Sequence, residues 1–352
     1  MNRFPTNFPV MPAAHPFRSA WFAPNRHLQT VWGWLFRSNA RLPLRMEQWP
    51  MPDGDQVELH RLDGVPGRPR LLVLHGLEGG PHSHYVHGLL QLAHARGWGG
   101  NLLVFRSCGG TLNDTRRFYH SGETGDLAAV IERLIDEAPV SPIGLIGVSL
   151  GGNVLLKYLG ERDTDIRPAL GAAATISVPY DLARGADAVS QGFARIYQRH
   201  FLHSLTRKVS AKLERYPDLC DSRALASART LRDFDDVVTA PVHGFSSAAD
   251  YYARSSSMQF LRNVRLPTLL LNARDDPFLP ATVLDEVRSI AADNPMLEVE
   301  FPPSGGHAGF VAGRLPWRPS YYAEQRVIAF LAATLDGEDR SPVLARHEVG
   351  MQ

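Results

Sequence analysis

The sequence is poor in the features that mark secreted, membrane-spanning and nucleic-acid-binding proteins. Only two cysteines, Cys108 and Cys220, occur in 352 residues. They are too few for a disulfide framework and favour a reducing compartment, although one bond between them stays open. The proline-rich start contains no uninterrupted apolar segment, so no secretory signal is expected. No apolar run approaches about eighteen residues, so no transmembrane helix is expected, and we predict a cytoplasmic protein.

An excess of charge of either sign is also absent. The 37 Lys and Arg residues outnumber the 36 Asp and Glu residues by one. This balance argues against nucleic acid as the main partner. The contents of 44% hydrophobic and 21% charged residues are typical of a globular protein. The length fits two domains, or one large α/β domain that carries an insertion.

The central part of the chain alternates between short apolar runs and helical patterns. Five of these runs cover residues 71–75, 101–105, 143–148, 172–177 and 267–272. Strands that are apolar on both faces must be covered by helices on both sides, as in a parallel sheet. The sequence therefore predicts an α/β fold with a mostly parallel central sheet.

Shorter segments on either side extend the predicted sheet. Residues 42–49 and 56–62 predict two strands joined through a Pro-Asp-Gly-Asp turn at 52–55, which favours an N-terminal antiparallel hairpin. Residues 297–301 alternate like a half-buried final strand, and 321–335 predict an amphipathic helix. The sequence contains no internal repeat.

The chain divides into four predicted parts. About 85 residues between two of the parallel strands contain no convincing strand, and we interpret them as a helical cap inserted into the core. The parts are an N-terminal wrapping segment at 1–40, a core at 41–179 and 265–337, the helical cap at 180–264 and a polar tail at 338–352.

A serine stands where one parallel strand gives way to a helix. The Gly-Val-Ser-Leu-Gly motif at 147–151 places Ser149 after the apolar run 143–148. This is the setting of a nucleophile elbow, in which side chains at Gly147 and Gly151 would collide with neighbouring backbone. The motif alone is weak evidence, because a serine in an ordinary helix cap produces the same pattern. Two downstream partners strengthen it.

An acidic residue and a histidine follow later strands in the order expected of a Ser-Asp-His triad. Asp276 follows the run 267–272, and its spacing to Pro280 makes it the preferred partner, with Asp275 as the fallback. His307 follows 297–301 in a glycine-rich loop. Because the carboxyl ends of parallel strands meet at one edge of the sheet, we expect these side chains to converge.

This triad has a specific chemistry. A serine hydroxyl is a weak nucleophile at neutral pH, so His307 would take its proton as Ser149 attacks, and Asp276 would hold the imidazole in the required tautomer. The oxyanion that forms needs fixed donors. The N–H of Leu150, after the serine, and that of Leu77, in the loop after the first parallel strand, are the candidates.

Together these motifs resemble the YheT-like hydrolases, a family of α/β-hydrolases. The resemblance covers residues about 15–335 and depends on segments at 25–30, 75–79, 105–110, 147–153, 272–278 and 305–310. It implies an α/β-hydrolase fold and hydrolysis of carboxylic esters, in a family whose relatives include acylglycerol lipases and medium-chain acyl transferases. Ser107 departs from the glycine that the family often carries in its loop, and this difference leaves the triad untouched.

The resemblance leaves alternatives open. An alcohol or thiol could replace water and make the chain an acyltransferase, and a noncatalytic binding protein or a peptidase on the same scaffold are further hypotheses. A small ester or acylglycerol-like molecule is the expected substrate. No cofactor, metal or nucleic acid is expected.

Two further clusters have a structural and a functional interpretation. His82, His84 and His87 could bind a metal, but no acidic or cysteine ligand completes the set, so we interpret them as cleft-lining or solvent-facing groups. Residues 181–232 carry ten Arg and Lys residues against five Asp and Glu residues. A solvated helix face is the simpler interpretation, and contact with an anionic membrane is the alternative.

Overall fold

The structure is a computed structural model that describes residues 16–37 and 42–336. The polar tail predicted at 338–352 lies outside the described residues. So do residues 1–15 and 38–40 of the predicted N-terminal segment and the two end residues of the predicted core, 41 and 337. The boundaries predicted between the four parts stay a prediction.

An eight-stranded sheet forms the centre of the fold. Its strands are β1 Arg45–Pro50, β2 Gln56–Leu62, β3 Arg70–Leu74, β4 Gly99–Val104, β5 Ile143–Val148, β6 Leu170–Ile176, β7 Thr268–Leu271 and β8 Leu297–Glu300. They lie in the order β1-β2-β4-β3-β5-β6-β7-β8. Strands β1 and β2 pair antiparallel, β2 pairs antiparallel with β4, and the remaining pairs are parallel. The mixed α/β sheet and its N-terminal hairpin are therefore confirmed.

Burial explains why the central strands form where they do. Every residue of β4 and β5 is buried, so apolar side chains on both faces leave water. Strand β8 lies at the edge and is buried only at its first residue, Leu297, which matches its alternating sequence. Strand β5, which leads to Ser149, thus lies in the interior of the protein, and β8, which leads to the His307 loop, lies at the sheet edge.

Helices cover both faces of the sheet. Outside the insertion they are α1 Arg26–Phe36, α2 His84–His94, α3 Gly125–Glu137, α4 Leu150–Arg162, α11 Ala281–Ala292 and α12 Tyr322–Leu335. Buried side chains of α2 and α12 share one apolar cluster with the sheet. Those of α3, α4 and α11 share the cluster on the opposite face. The result is the three-layer arrangement that a parallel sheet requires.

A helical insertion lies between β6 and β7, as predicted. Its α-helices are α5 Leu182–Val189, α6 Arg195–Leu213, α7 Ser222–Ser227, α8 Leu231–Phe234, α9 Ala240–Val242 and α10 Ala248–Ser255. A π-helical turn at Asp235–Thr239 and 3₁₀ segments at Gly192–Ala194 and Ser257–Asn263 complete it. Leu202, Val209, Leu219, Leu225 and Phe234 form an apolar cluster of its own. The insertion therefore has a packed interior and forms a layer above the sheet edge.

One expectation about the strands is wrong. Residues 297–301 were expected to contain the last strand, but β9 Val311–Leu315 and β10 Arg318–Tyr321 follow and pair antiparallel in a separate two-stranded sheet. Gln29 of α1 ties the N-terminal segment to β9, because its side-chain amide donates to the Val311 carbonyl and accepts from the Val311 N–H. This hairpin holds α1 beside the loop that carries His307.

In the described ranges, no helix combines the length and the apolar character needed to cross a bilayer. The expected cytoplasmic location stays a prediction.

Candidate active site

Ser149 lies on a sharp turn between β5 and α4. Its backbone φ of +53° falls in the left-handed region, which is strained for a residue with a side chain. The turn is tight: a Cβ on Gly151 would lie 2.6 Å from the backbone oxygens of Leu74 and His75, and one on Gly147 would lie 2.5 Å from the Gly152 Cα. Both glycines are therefore required by the geometry of the elbow.

The three predicted side chains meet at the carboxyl end of the sheet. His307 Nε2 lies 2.9 Å from Ser149 Oγ, and His307 Nδ1 lies 2.9 Å from Asp276 Oδ2. The Asp276 side chain is 1% exposed, whereas Ser149 is half-buried. The imidazole therefore bridges a buried carboxylate and a hydroxyl that faces the cavity.

Asp275, the alternative acid, has a different role. One of its oxygens accepts a hydrogen bond of 2.9 Å from the Gly306 N–H, immediately before His307. Burial raises the pKa of Asp275. The structure thus brings Asp276, not Asp275, to the imidazole and uses Asp275 to hold the histidine loop.

The His307 loop is held from two further elements that the sequence reasoning missed. The His307 N–H donates to Thr30 Oγ1 of α1 at 2.9 Å, and the Ala308 N–H donates to Ser177 Oγ, at the end of β6, at the same distance. Ser177 also has a positive φ of +55°. Thr30 belongs to the segment 25–30 that the family resemblance singled out, and this was the only signal for its role. His27, on the same helix, contacts Phe193 and Tyr197 of the insertion.

The loop after β3 presents the Leu77 N–H to the site. Its neighbours are occupied: the Gly76 N–H donates to the Tyr85 hydroxyl and the Glu78 N–H to the Tyr119 hydroxyl, each at 2.9 Å. The Leu150 N–H lies in the first turn of α4, where N–H groups have no intrahelical acceptor. Leu77 and Leu150 both line the cavity that contains Ser149, and no described residue accepts a hydrogen bond from either N–H. Their role as oxyanion donors stays a prediction.

His75, directly after β3, holds this loop through hydrogen bonds. The Phe105 N–H donates to His75 Nε2 at 3.0 Å, so the ring proton is on Nδ1, which donates to the Gly76 carbonyl at 2.7 Å. Burial lowers the pKa of His75 to about 4. The imidazole is therefore neutral near pH 7 and acts as a fixed link between β3 and β4.

A deep cavity opens onto Ser149. Its volume is about 590 Å³, within the range of small-molecule sites, and its lining is mainly apolar. The lining comes from α1, from the loop after β3 and, above all, from the insertion. Apolar lining residues include Val31, Leu182, Val189, Phe201, Leu205, Val209, Leu231, Phe234, Val238 and Phe278. The insertion thus forms the roof of the cavity, with the Ser149 hydroxyl and the His307 ring at its base.

Of the predicted histidine cluster, His82 and His84 line the cavity. Within 16–37 and 42–336, no group of three or more His, Cys, Asp and Glu side chains could hold a metal ion. The His84 ring packs against Gly33 of α1, where a Cβ would lie 2.5 Å from the ring. Cys108 lies 3.4 Å from Lys208 Nζ, and burial raises the pKa of its thiol to about 11, so it is a thiol rather than a thiolate.

Comparisons with known proteins agree with the fold. Residues 69–313 match the family model of the α/β hydrolase fold. Among solved structures, the chain is similar to the esterase Pf2001 of Pyrococcus furiosus, with a TM-score of 0.57 and 16% identity over 84% of this chain and 91% of that one. At that identity the similarity shows the fold alone.

Sequence relatives are more informative about the family. The chain is 37% identical over 330 residues to the Escherichia coli (strain K12) protein named "Putative esterase YheT", covering 91% of this chain and 95% of that protein. It is 30% identical over 275 residues to the "Monoacylglycerol lipase" of Saccharomyces cerevisiae (strain ATCC 204508 / S288c), covering 75% of this chain and 59% of that protein. The chain therefore belongs to the α/β-hydrolase fold family and, within it, to the group of the YheT protein.

Proposed function

We propose that this protein is a serine hydrolase of carboxylic esters. The observation that carries the proposal is the His307 ring, which lies 2.9 Å from the Ser149 hydroxyl on one side and 2.9 Å from the Asp276 carboxylate on the other. In this arrangement His307 Nε2 removes the Ser149 proton as Oγ attacks the ester carbonyl carbon. Asp276 keeps the Nδ1 proton in place and stabilises the imidazolium that forms.

The remaining steps follow from the same groups. The N–H groups of Leu77 and Leu150 bind the negative carbonyl oxygen of the tetrahedral intermediate. The intermediate collapses when the carbon–oxygen bond to the alcohol breaks, and His307 gives its proton to the departing alcohol. A water molecule then attacks the acyl-enzyme, His307 takes its proton, and the second collapse releases the carboxylic acid and returns the proton to Ser149.

The substrate that fits this site is an ester with a long apolar acyl chain. The cavity of about 590 Å³ is lined mainly by apolar side chains of the insertion. Each methylene that it removes from water would stabilise the bound chain by about 0.8 kcal/mol. Acylglycerol-like esters have this chemistry, and the name of the yeast relative supports the choice.

We further propose that the cavity mouth rests on a lipid surface. Trp34 of α1 and Ile196 of α6 line the cavity, yet they are 74% and 54% exposed. Phe193, which is 55% exposed, packs against His27 of α1 with ring centroids 4.4 Å apart. Exposed apolar side chains from α1 and α6 thus border the cavity that a lipid substrate would enter.

The charge on α6 favours an anionic surface. Residues 195–213 contain no Asp or Glu. Arg195 and Arg199 are four residues apart and share one face, and Arg207 follows two turns later. All three are exposed and form no ion pair with any described residue. The phosphate groups of anionic lipids bind exposed arginines of this kind through charge-assisted hydrogen bonds. The basic surface of the insertion therefore has the charge that complements an anionic bilayer.

The test uses a fluorophosphonate probe and a series of p-nitrophenyl esters. Two results would support the proposal. The probe should label the wild-type protein but not Ser149→Ala, and the rate of ester hydrolysis should rise as the acyl chain lengthens to about eight carbons or more. The absence of both labelling and hydrolysis from folded wild-type protein would refute it and favour a noncatalytic binding protein. Product analysis with added glycerol or ethanol would distinguish water from an alcohol as the acceptor, and thus a hydrolase from an acyltransferase.

A further inference from the structure

Glu78 occupies an unusual position beside the site. It directly follows Leu77, its side chain is only 5% exposed, and its φ is +54°. This left-handed conformation is unfavourable for a residue with a side chain and persists only where neighbouring contacts hold it. The contacts that hold Glu78 therefore also fix the course of the backbone at Leu77.

These contacts come from two different parts of the fold. The Tyr119 hydroxyl, in the loop that follows β4, donates to Glu78 Oε1 at 2.8 Å and accepts from the Glu78 N–H at 2.9 Å. Lys208 Nζ lies 2.8 Å from the same carboxylate oxygen, and the Ser204 hydroxyl donates to the other oxygen. Lys208 and Ser204 are one turn apart on α6. The insertion is thus joined to the loop after β3 through a single buried carboxylate.

We propose that Glu78 is a positioning residue through which α6 holds the Leu77 N–H in place for the oxyanion. This inference rests on the proposed function, since it takes the Leu77 N–H as an oxyanion donor. When Glu78 loses its partners, its backbone is free to relax from φ +54° toward negative φ. That rotation turns the Leu77–Glu78 peptide and moves the Leu77 Cα, and with it the adjoining Gly76–Leu77 peptide that carries the Leu77 N–H. The seating of the helical insertion therefore controls the geometry of the oxyanion site.

The test compares two lysines of α6. Lys208→Met and Glu78→Gln each remove the ion pair from one side, while Lys212→Met removes a neighbouring buried lysine that contacts Asn113 and the Arg117 carbonyl instead. On p-nitrophenyl acetate, whose short acyl group leaves the cavity empty, we expect kcat to fall about 10- to 100-fold in the first two variants. KM should stay within about twofold of the wild-type value, and Lys212→Met should keep the wild-type kcat.

A second measurement separates positioning from loss of folded structure. A trifluoromethyl ketone forms a hemiketal oxyanion on Ser149, so its affinity should fall in parallel with kcat/KM in Glu78→Gln and Lys208→Met. The double variant should lose no more than the worse single variant, because both changes break one link. If Glu78→Gln does not fold, Lys208→Met tests the same contact from α6.

The possible outcomes are distinct. Wild-type activity and wild-type ketone affinity in both variants, or losses equal to those of Lys212→Met, would overturn this inference and leave the proposed function intact. An inactive wild-type protein would overturn both. An increase in KM with an unchanged kcat would assign the cluster to substrate binding and would also overturn the inference.

Discussion

Asp276 holds the His307 ring from inside the protein. One carboxylate oxygen lies 2.9 Å from His307 Nδ1, and the other accepts the Phe278 N–H at 2.8 Å. Both oxygens therefore have partners, and the carboxylate cannot turn away from the imidazole. The neighbouring Asp275 bonds only to the backbone of the histidine loop. Two adjacent acids of the same chemistry thus have different relationships to the same histidine.

This difference predicts unequal effects of two matched substitutions. Asp276→Asn would place an amide against His307 Nδ1 and favour the wrong tautomer, so we expect kcat to fall by about 10³- to 10⁴-fold. Asp275→Asn, the control, retains an oxygen for the Gly306 N–H and should lose less than about tenfold. Steady-state kinetics on one p-nitrophenyl ester measure both values. Equal losses, or a larger loss in Asp275→Asn, would contradict the assignment of the acid.

Much of this site could be predicted because its main residues follow strands. Ser149, Asp276 and His307 each come shortly after a predicted strand, and the topology of a parallel sheet brings such positions to one edge. Thr30, Ser177 and Tyr85 could not be found in this way. Thr30 and Ser177 accept from backbone N–H groups 277 and 131 residues away, and Tyr85 accepts from one nine residues back. A hydroxyl that binds a backbone N–H in this way leaves no spacing pattern in the sequence.

The central strands of the fold could also be predicted from the sequence, whereas the last two strands could not. The buried strands appear as apolar runs, whereas β9 and β10 are short, largely half-buried or exposed, and interrupted by the turn around Trp317. Their sequence therefore has no periodic signal. The link from Glu78 to Lys208 was also hidden, because 130 residues separate its two ends.

The elbow glycines give a prediction about stability. Gly151→Ala would place a Cβ 2.6 Å from two backbone oxygens that cannot move aside, so we expect a loss of about 3 kcal/mol or more, or failure to fold. Gly185→Ala in α5 is the control, since its Cβ would have ordinary contacts at 3.5 and 3.6 Å. Alanine there should raise the free energy of unfolding by about 0.5–1 kcal/mol. Chemical denaturation measures both, and a stable Gly151→Ala protein would argue against the tight turn.

The proposed lipid surface predicts binding that depends on lipid charge. Wild-type protein should sediment with vesicles of phosphatidylcholine that contain phosphatidylglycerol, and much less with phosphatidylcholine alone. The double variant Arg195→Gln/Arg199→Gln should lose most of the charge-dependent binding, and Trp34→Ala should weaken binding to both vesicles. Arg288→Gln, an exposed arginine of α11, is the control and should bind like the wild type. No vesicle binding, or self-association through the same face, would rule out the lipid surface.

Buried histidines predict how stability changes with pH. Burial lowers the pKa of His84 to about 4, from an ordinary value of 6.5, and lowers that of His75 to about 4 as well. Below pH 6.5 the unfolded chain takes up protons that the folded protein accepts only near pH 4. The free energy of unfolding should therefore be fully retained above about pH 6.5 and decrease as pH falls toward 4. Each such group adds up to about 1.4 kcal/mol per pH unit to the slope.

His84 isolates one of these contributions. Its ring stacks on Gly33, and its Nδ1 has no hydrogen-bond partner among the described residues, so His84→Phe removes a titrating group and leaves no donor or acceptor behind. Unfolding of His84→Phe in urea is measured at several pH values between 7 and 4. Its free energy of unfolding should change less steeply with pH than that of the wild type, by an amount equivalent to at most one bound proton. Any change in packing would shift the curve equally at every pH and leave the slope alone. His203→Phe, on the exposed side of α6, is the matched control and should keep the wild-type slope. A His84→Phe protein with the full wild-type slope would mean that this imidazole titrates alike in the folded and unfolded chain, and that it is not held neutral by burial against α1.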